Sequence, residues 1–215
     1  MKKHVVVINF KKISSDEAVR VCEKLNQVDE SLSDFFQVVL GVQLADVAAV
    51  CKSSRFDVFG LVPGTAYGSD SIVESLPSIN NPNFRGLVMN HPDHKLSHEA
   101  MERYTQELRN AGLDIIACSS SITEAAALSK YRPNFIGLEI KEIIGKDISF
   151  SNYCPEVLHD AVAQLPTAVL IGGGIRSSRD LGFVIKNGGA GVLVSSAVVN
   201  SSEPAQALNN LLEVD

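Results

Sequence analysis

The sequence predicts a closed (β/α)8 barrel formed by a single domain over residues 1–215. Eight apolar segments of strand length recur along the chain, and most are continuous rather than alternating, as expected for strands covered on both faces. Amphipathic segments of helical periodicity separate them, and no linker rich in Pro, Gly or Ser divides the chain. Each strand–helix unit takes about 27 residues, which is near the lower limit for such a barrel.

The competing architecture is an open, doubly wound sheet. Such a sheet usually carries the pattern G-x-G-x-x-G after its first strand, but the sequence at that point is INFKKIS. The closed barrel is therefore favoured. Its predicted strands cover residues 4–10, 36–42, 56–62, 84–90, 113–119, 134–140, 167–174 and 189–196.

The segments between the strands have the signals of capped helices. The first helix has Ser14 or Ser15 as its N-cap and acidic residues in its first turn. Another begins at Ser97 and stops before Gly112. Further helices are predicted within residues 121–131, 154–165, 177–189 and 202–214, with shorter ones within 44–54 and 69–76.

The composition narrows the class of protein. Hydrophobic residues make up 45% and charged residues 20% of the chain, as in ordinary globular proteins. No apolar run approaches the roughly 18 residues that span a bilayer. The run from Val5 to Ile8 is too short for a signal peptide and lacks a cleavage site. We therefore expect a cytoplasmic protein with no membrane partner.

The net charge of −6 argues against nucleic acid as a partner, but it does not exclude a small anionic substrate. The four cysteines are widely scattered, which predicts reduced, packed thiols. In the stretch HPDHKLSH, the spacing of His91, His94 and His98 could suggest a metal site. Pro92 and the Ser97 cap interrupt any single helix there, so we expect no metal site.

In a (β/α)8 barrel the active site lies at the carboxyl ends of the strands. A lysine, a histidine and a glutamate each follow a different predicted strand, and a glycine-rich turn follows the seventh. The residues at these ends are Asn9, Lys11, Asn90, His91, Glu139, Gly172, Gly173, Gly174, Ser195 and Ser196.

These residue types suit one kind of chemistry. Lys11 and His91 can polarise a carbonyl oxygen and stabilise an enediolate, and Glu139 can remove the carbon-bound proton beside that carbonyl. Exposed N–H groups in a glycine-rich turn at a helix start suit a phosphate. The combination predicts proton transfer on a small phosphorylated aldose or ketose.

The order of several motifs resembles the triosephosphate isomerase family, and the short chain resembles its compact archaeal-type branch. The motifs are VVINFK, NH, LEIKEIIG, IGGGI and GVLVSS, and the resemblance extends from Val6 to about Leu212. It implies a compact TIM barrel that interconverts dihydroxyacetone phosphate and glyceraldehyde 3-phosphate without cofactor or metal.

The resemblance also assigns roles to residues. It implies that Asn9 binds substrate, Lys11 stabilises charge, His91 is the electrophile and Glu139 is the base. Residues 140–146 would form a lid, and Gly145 would bring its N–H to the phosphate. The other expected phosphate-binding residues are Gly172, Gly173, Ser195 and Ser196.

Some positions depart from the family pattern. Pro92-Asp93 replaces Ser-Glu, Ile140 replaces a proline, and Arg176 replaces a small polar residue. In the third loop, GTAYG, Tyr67 stands at the threonine position of a family turn that enters the neighbouring subunit. The resemblance implies a homo-oligomer, a dimer or a tetramer.

Two alternatives stay open. The first is another phosphosugar barrel, an epimerase or a synthase. Epimerases commonly use a metal or paired acids at strand ends, whereas Asp57 and Asp114 lie at predicted strand starts. The second is a catalytically impaired homologue that binds phosphate without turnover.

Overall fold

Eight parallel strands pair in chain order, and β1 pairs with β8 to close the barrel. The structure is a computed structural model that describes residues 3–64, 71–76 and 80–214. The predicted fold class is confirmed, and every strand overlaps its predicted segment. The strands are β1 (His4–Asn9), β2 (Phe36–Gln43), β3 (Asp57–Leu61), β4 (Phe84–Met89), β5 (Asp114–Ser119), β6 (Phe135–Glu139), β7 (Val169–Gly172) and β8 (Gly191–Val194).

Helices follow the strands and form the outer layer. As predicted, Ser14 and Ser97 cap helices by accepting N–H hydrogen bonds from Glu17 and Ala100. The helices are α1 (Ser15–Leu25), α2 (Val47–Ser53), α3 (His98–Asn110), α4 (Ile122–Ser129), α5 (Phe150–Tyr153), α6 (Pro155–Gln164), α7 (Ser178–Lys186), α8 (Ser196–Val199) and α9 (Pro204–Leu212). Short 3-10 helices span Glu30–Asp34, Leu44–Asp46 and Lys141–Ile143.

The helix predicted within residues 69–76 is wrong for its described part. Residues 71–76 form turns, with the Ser75 and Leu76 N–H groups donating to carbonyls three residues earlier. Two causes act together. A proline follows Leu76 and disfavours helical backbone there, and a segment this short adds few helical hydrogen bonds to offset nucleation.

The apolar residues pack in two layers on either side of the sheet. Neighbouring strand residues point to opposite faces, so Val5 and Val7 fill the barrel interior while Val6 and Ile8 pack beneath the helices. This two-sided burial explains the continuous apolar strands. The inner layer comprises Val5, Val7, Val39, Phe59, Val88, Ile116, Cys118, Leu170 and Leu193.

The four cysteines are buried and free, which confirms the prediction of packed thiols. Asp57 and Asp114 are the first residues of β3 and β5, at the amino-terminal face of the barrel. Asp57 accepts a hydrogen bond from Gln37, and Asp114 accepts one from Asn134. Both acids are therefore far from the end where Glu139 lies. No helix in the described ranges is long and apolar enough to cross a membrane.

Candidate active site

The carboxyl ends of β1, β6, β7 and β8 surround one cleft. Its lining includes Glu139 beside Lys11 and Asn9, together with glycines from two loops and a pair of serines. Gly172 does not line the cleft but pairs with Glu139 across the β6–β7 ladder. The residues of the cleft are Asn9, Lys11, Glu139, Ile144, Gly145, Gly173, Gly174, Ile175, Leu193, Val194, Ser195 and Ser196.

Asn9 fixes the backbone that carries Lys11. It is the last residue of β1, it is buried, and its side-chain oxygen accepts a hydrogen bond of 2.9 Å from the Lys11 N–H. Lys11 adopts the left-handed backbone conformation, with φ of 53°. This local hydrogen bond, which an Asn side chain makes readily, helps to hold a lysine in a conformation that it rarely adopts.

His91 and Glu139 meet although they follow different strands. The His91 Nε2 atom lies 3.2 Å from Glu139 Oε1. Both atoms are buried, and neither has a hydrogen-bond partner among the described residues. Buried polar atoms normally have partners. Two buried polar atoms that lie this close without forming a hydrogen bond are therefore what a site needs if a ligand is to supply the missing hydrogen bonds.

The backbone sets the tautomer of His91. The Asp93 N–H donates to His91 Nδ1 at 3.3 Å. A ring nitrogen that accepts a hydrogen bond carries no proton, so this contact favours the neutral tautomer with its proton on Nε2, although the Asp93 carboxylate also lies 3.5 Å from Nδ1. The departure at Pro92-Asp93 is compatible with this contact because the donor is the Asp93 backbone, which does not depend on the side chain.

A polar network holds the loop before His91. Asn90, which has a φ of 57°, donates to the Cys118 carbonyl and to Glu124, and its side-chain oxygen accepts the Leu96 N–H. Lys95 donates to Glu124 at 2.5 Å and to the Asn90 carbonyl at 3.3 Å. The network joins β4, β5 and α4, and it fixes the direction in which the chain enters His91.

The charge of Glu124 is stabilised within this network. Burial acts to raise the pKa of the Glu124 carboxyl, but hydrogen bonds from Lys95, from the Ser120 N–H and from Asn90 act in the opposite direction. The net result is a pKa below the ordinary value for glutamate. Glu124 therefore stays ionised and keeps its donors in place.

Two neighbours shape the space around Glu139. A Cβ atom on Gly172 would lie 2.7 Å from Glu139 Cγ, so a side chain at this position would displace the carboxylate. The Cys118 thiol lies inside the barrel near Glu139. Burial, and then the nearby charge of Glu139, raises the pKa of Cys118 well above the usual value for a thiol. The thiol therefore stays protonated near the carboxylate.

The segment after Glu139 lies over the cleft. The Ile140 N–H donates to the Gly172 carbonyl, and the buried Ile143 packs against Gly174. At the tip, Gly145 has a φ of +72° and lines the cleft. The predicted lid, residues 140–146, is thus packed against the loop that follows β7. The segment called the lid below continues from it to residue 149, just before α5.

The histidines of HPDHKLSH do not converge. His91 faces Glu139, whereas His98 Nδ1 lies 2.7 Å from the Tyr131 hydroxyl. Within residues 3–64, 71–76 and 80–214, no three side chains of His, Cys, Asp or Glu are grouped so that they could hold a metal ion. The loop containing Tyr67 lies outside the described residues.

The sequence pattern did not identify several residues that contact the site. Cys118 was interpreted only as a packed thiol, yet it lies near enough to Glu139 for the carboxylate to raise the pKa of the thiol. Its spacing of two residues from Ile116 along β5 is a signal that both face the barrel interior. Asp180 and the contacts of Arg176 with the lid had no sequence signal, because they join segments far apart in the chain.

The chain is similar over most of its length to several archaeal proteins named triosephosphate isomerase. It is 26% identical to the one from Thermoplasma volcanium, over 97% of this chain and 99% of that protein. It is 27% identical to the one from Archaeoglobus fulgidus, over 98% of both chains. The protein from Cenarchaeum symbiosum is 34% identical, over 60% of each chain. No protein-family model matches the chain.

A solved structure shares the fold. Thiamine phosphate pyrophosphorylase from Pyrococcus furiosus aligns with 98% of this chain and 94% of its own, with a TM-score of 0.59 and 17% sequence identity. At this identity the likeness supports the barrel architecture alone, since such barrels carry many unrelated reactions.

Proposed function

We propose that the protein is a triosephosphate isomerase that interconverts dihydroxyacetone phosphate and D-glyceraldehyde 3-phosphate. The observation that carries the proposal is the contact between His91 Nε2 and Glu139 Oε1, two buried and unpaired atoms beside the cleft that also contains Lys11. A carboxylate base next to an imidazole N–H donor is the pair that proton transfer beside a carbonyl requires.

In the proposed reaction, Glu139 removes a proton from the carbon next to the substrate carbonyl. The C–H electrons form a carbon–carbon double bond, and the carbonyl oxygen gains negative charge. The His91 Nε2–H donates to this oxygen, and the Lys11 ammonium stabilises the charge. The former carbonyl oxygen gains a proton and the neighbouring hydroxyl oxygen loses its own, so that the second oxygen becomes the new carbonyl. The electrons of the carbon–carbon double bond take the proton back from Glu139 at the other carbon, and no cofactor or metal takes part.

The phosphate would bind at the opposite side of the cleft. Backbone N–H groups of Gly145, Gly173, Ser195 and Ser196 are suitable donors because these residues line the cleft together. Asn9 and Gly172 act indirectly in this scheme. Asn9 holds the backbone of Lys11, and Gly172 leaves room for the Glu139 side chain. The lid would exclude water, which strengthens every electrostatic contact in the site.

A coupled assay on glyceraldehyde 3-phosphate tests this function. We expect cofactor-free turnover that survives treatment with a chelator. The Glu139→Gln variant, purified in the same way, controls for isomerase carried over from the expression host. Activity that requires added Zn²⁺ or Mn²⁺ would favour the epimerase class. Binding of 2-phosphoglycolate without turnover would indicate the impaired homologue.

We also propose that the protein assembles as a homodimer. The resemblance to triosephosphate isomerase supports this, because the loop after β3 enters the neighbouring subunit in that family. Light scattering coupled to gel filtration measures the mass directly, and a single species near 23.1 kDa, the mass of one chain, would contradict it.

A further inference from the structure

The side chain of Arg176 spans from the loop after β7 to the lid. Its Nη1 atom donates to the Lys146 carbonyl at 3.2 Å, and its Nη2 atom pairs with the Asp147 carboxylate. The guanidinium therefore contacts the carbonyl of the peptide bond between Lys146 and Asp147 and the side chain of the residue that follows it. Arg176 is 46% exposed and Asp147 is 88% exposed, so water and salt have access to this contact.

A buried carboxylate also holds the loop after β7 that carries Arg176. Asp180 on α7 is 1% exposed and accepts the Arg176 N–H at 3.1 Å. It also accepts hydrogen bonds from Ser149 and Ser151, where the lid ends and α5 begins. The base of the lid and the backbone of Arg176 are thus joined to one acid, which leaves the exposed Arg176 side chain as the contact with the outer part of the lid.

We infer that Arg176 is a positioning residue that latches the lid in its closed position. The kinetic consequences of this inference rest on the proposed function, whereas the contact between Arg176 and the lid does not. Asp180 anchors the lid where it meets α5, whereas the Arg176–Asp147 pair is an exposed charge-assisted contact of modest strength. Such a pair biases the lid toward closure and still permits the opening that substrate entry requires.

Cleavage by a lysine-specific protease reports lid opening without any substrate. Arg176 covers the peptide bond after Lys146, so Arg176→Met is expected to raise the cleavage rate at that bond about fivefold. Arg179→Met is the matched control, since Arg179 is exposed on α7 three residues further along. Thermal unfolding verifies that both variants are folded. Equal cleavage rates in Arg176→Met and the wild type would overturn the latch.

Kinetics provide a second, independent measurement. Arg176→Met and Asp147→Asn should each lower kcat/KM about fivefold, mainly by raising KM, and the double variant should lose no more than either single variant. High salt should reproduce the effect in the wild type. Additive losses would overturn the latch. Faster cleavage in a protein with no isomerase activity would reject the proposed function alone and support the latch.

Discussion

Gly172 and Glu139 lie side by side across the β6–β7 ladder, and a Cβ atom at Gly172 would come within 2.7 Å of Glu139 Cγ. The absence of a side chain at Gly172 is therefore what permits the position of the proposed base. The sequence pattern suggested Gly172 as a phosphate ligand, whereas its contacts suggest that it provides room for the carboxylate.

Gly172→Ala should consequently damage catalysis through Glu139. We expect kcat to fall by about 10²-fold, because a displacement of about 1 Å is enough to misalign a catalytic group. Gly112→Ala, between α3 and β5, is the matched control, since an added Cβ there meets nothing within 4 Å and only the positive φ is disfavoured. Similar losses of kcat in both variants would show that crowding of Glu139 is not the cause.

Glu139→Gln should abolish most turnover and retain binding. Glutamine has nearly the same shape but cannot accept the proton, so kcat should fall by about 10³-fold or more. Calorimetric titration should still detect 2-phosphoglycolate. Glu142→Gln, an exposed position in the lid, serves as the control. Full activity in Glu139→Gln would remove Glu139 from the role of base.

When the His91 ring is neutral, its proton should lie on Nε2. Nitrogen NMR of protein labelled at histidine distinguishes the two tautomers directly. Asp93→Ala should keep this tautomer and most of the activity, since the backbone N–H is the donor to Nδ1. A proton found on Nδ1 would contradict the assigned hydrogen bond.

The Glu124 carboxylate should stabilise the folded protein at pH values above the ordinary pKa of a glutamate carboxyl, and this stabilisation should be lost in acid. The folded-state pKa lies below the ordinary glutamate value of 4.5, so the stabilisation is present above pH 4.5 and is lost as the pH falls through the folded value. Glu124→Gln should lower the unfolding free energy at pH 7 by about 1 kcal/mol and weaken this acid dependence. Chemical denaturation at several pH values measures both effects.

The exposed Glu23 on α1 provides the control for that experiment. Glu23→Gln should leave the stability nearly unchanged across the same pH range. An unchanged acid dependence in Glu124→Gln would mean that other carboxylates determine it, and the network around Asn90 would then be less important than its contacts suggest.

The sequence by itself determined the alternation of strands and helices. Strands buried on both faces appear as continuous apolar runs, whereas helices buried on one face show apolar residues with a helical period. The sequence also determined which residues follow the strands, and chain direction in a parallel barrel then places Lys11, His91 and Glu139 at one end. The helix predicted within 69–76 did not form over its described part, residues 71–76, because the segment is short and a proline follows it.

Only the tertiary structure decided the contacts between these ends. Strand register brings Gly172 against Glu139, barrel closure sets the 3.2 Å between His91 and Glu139, and a folded loop directs Arg176 to the lid. Periodicity records which face of an element is buried but not which residue of another element it meets. Those pairings depend on how all eight strands pack together.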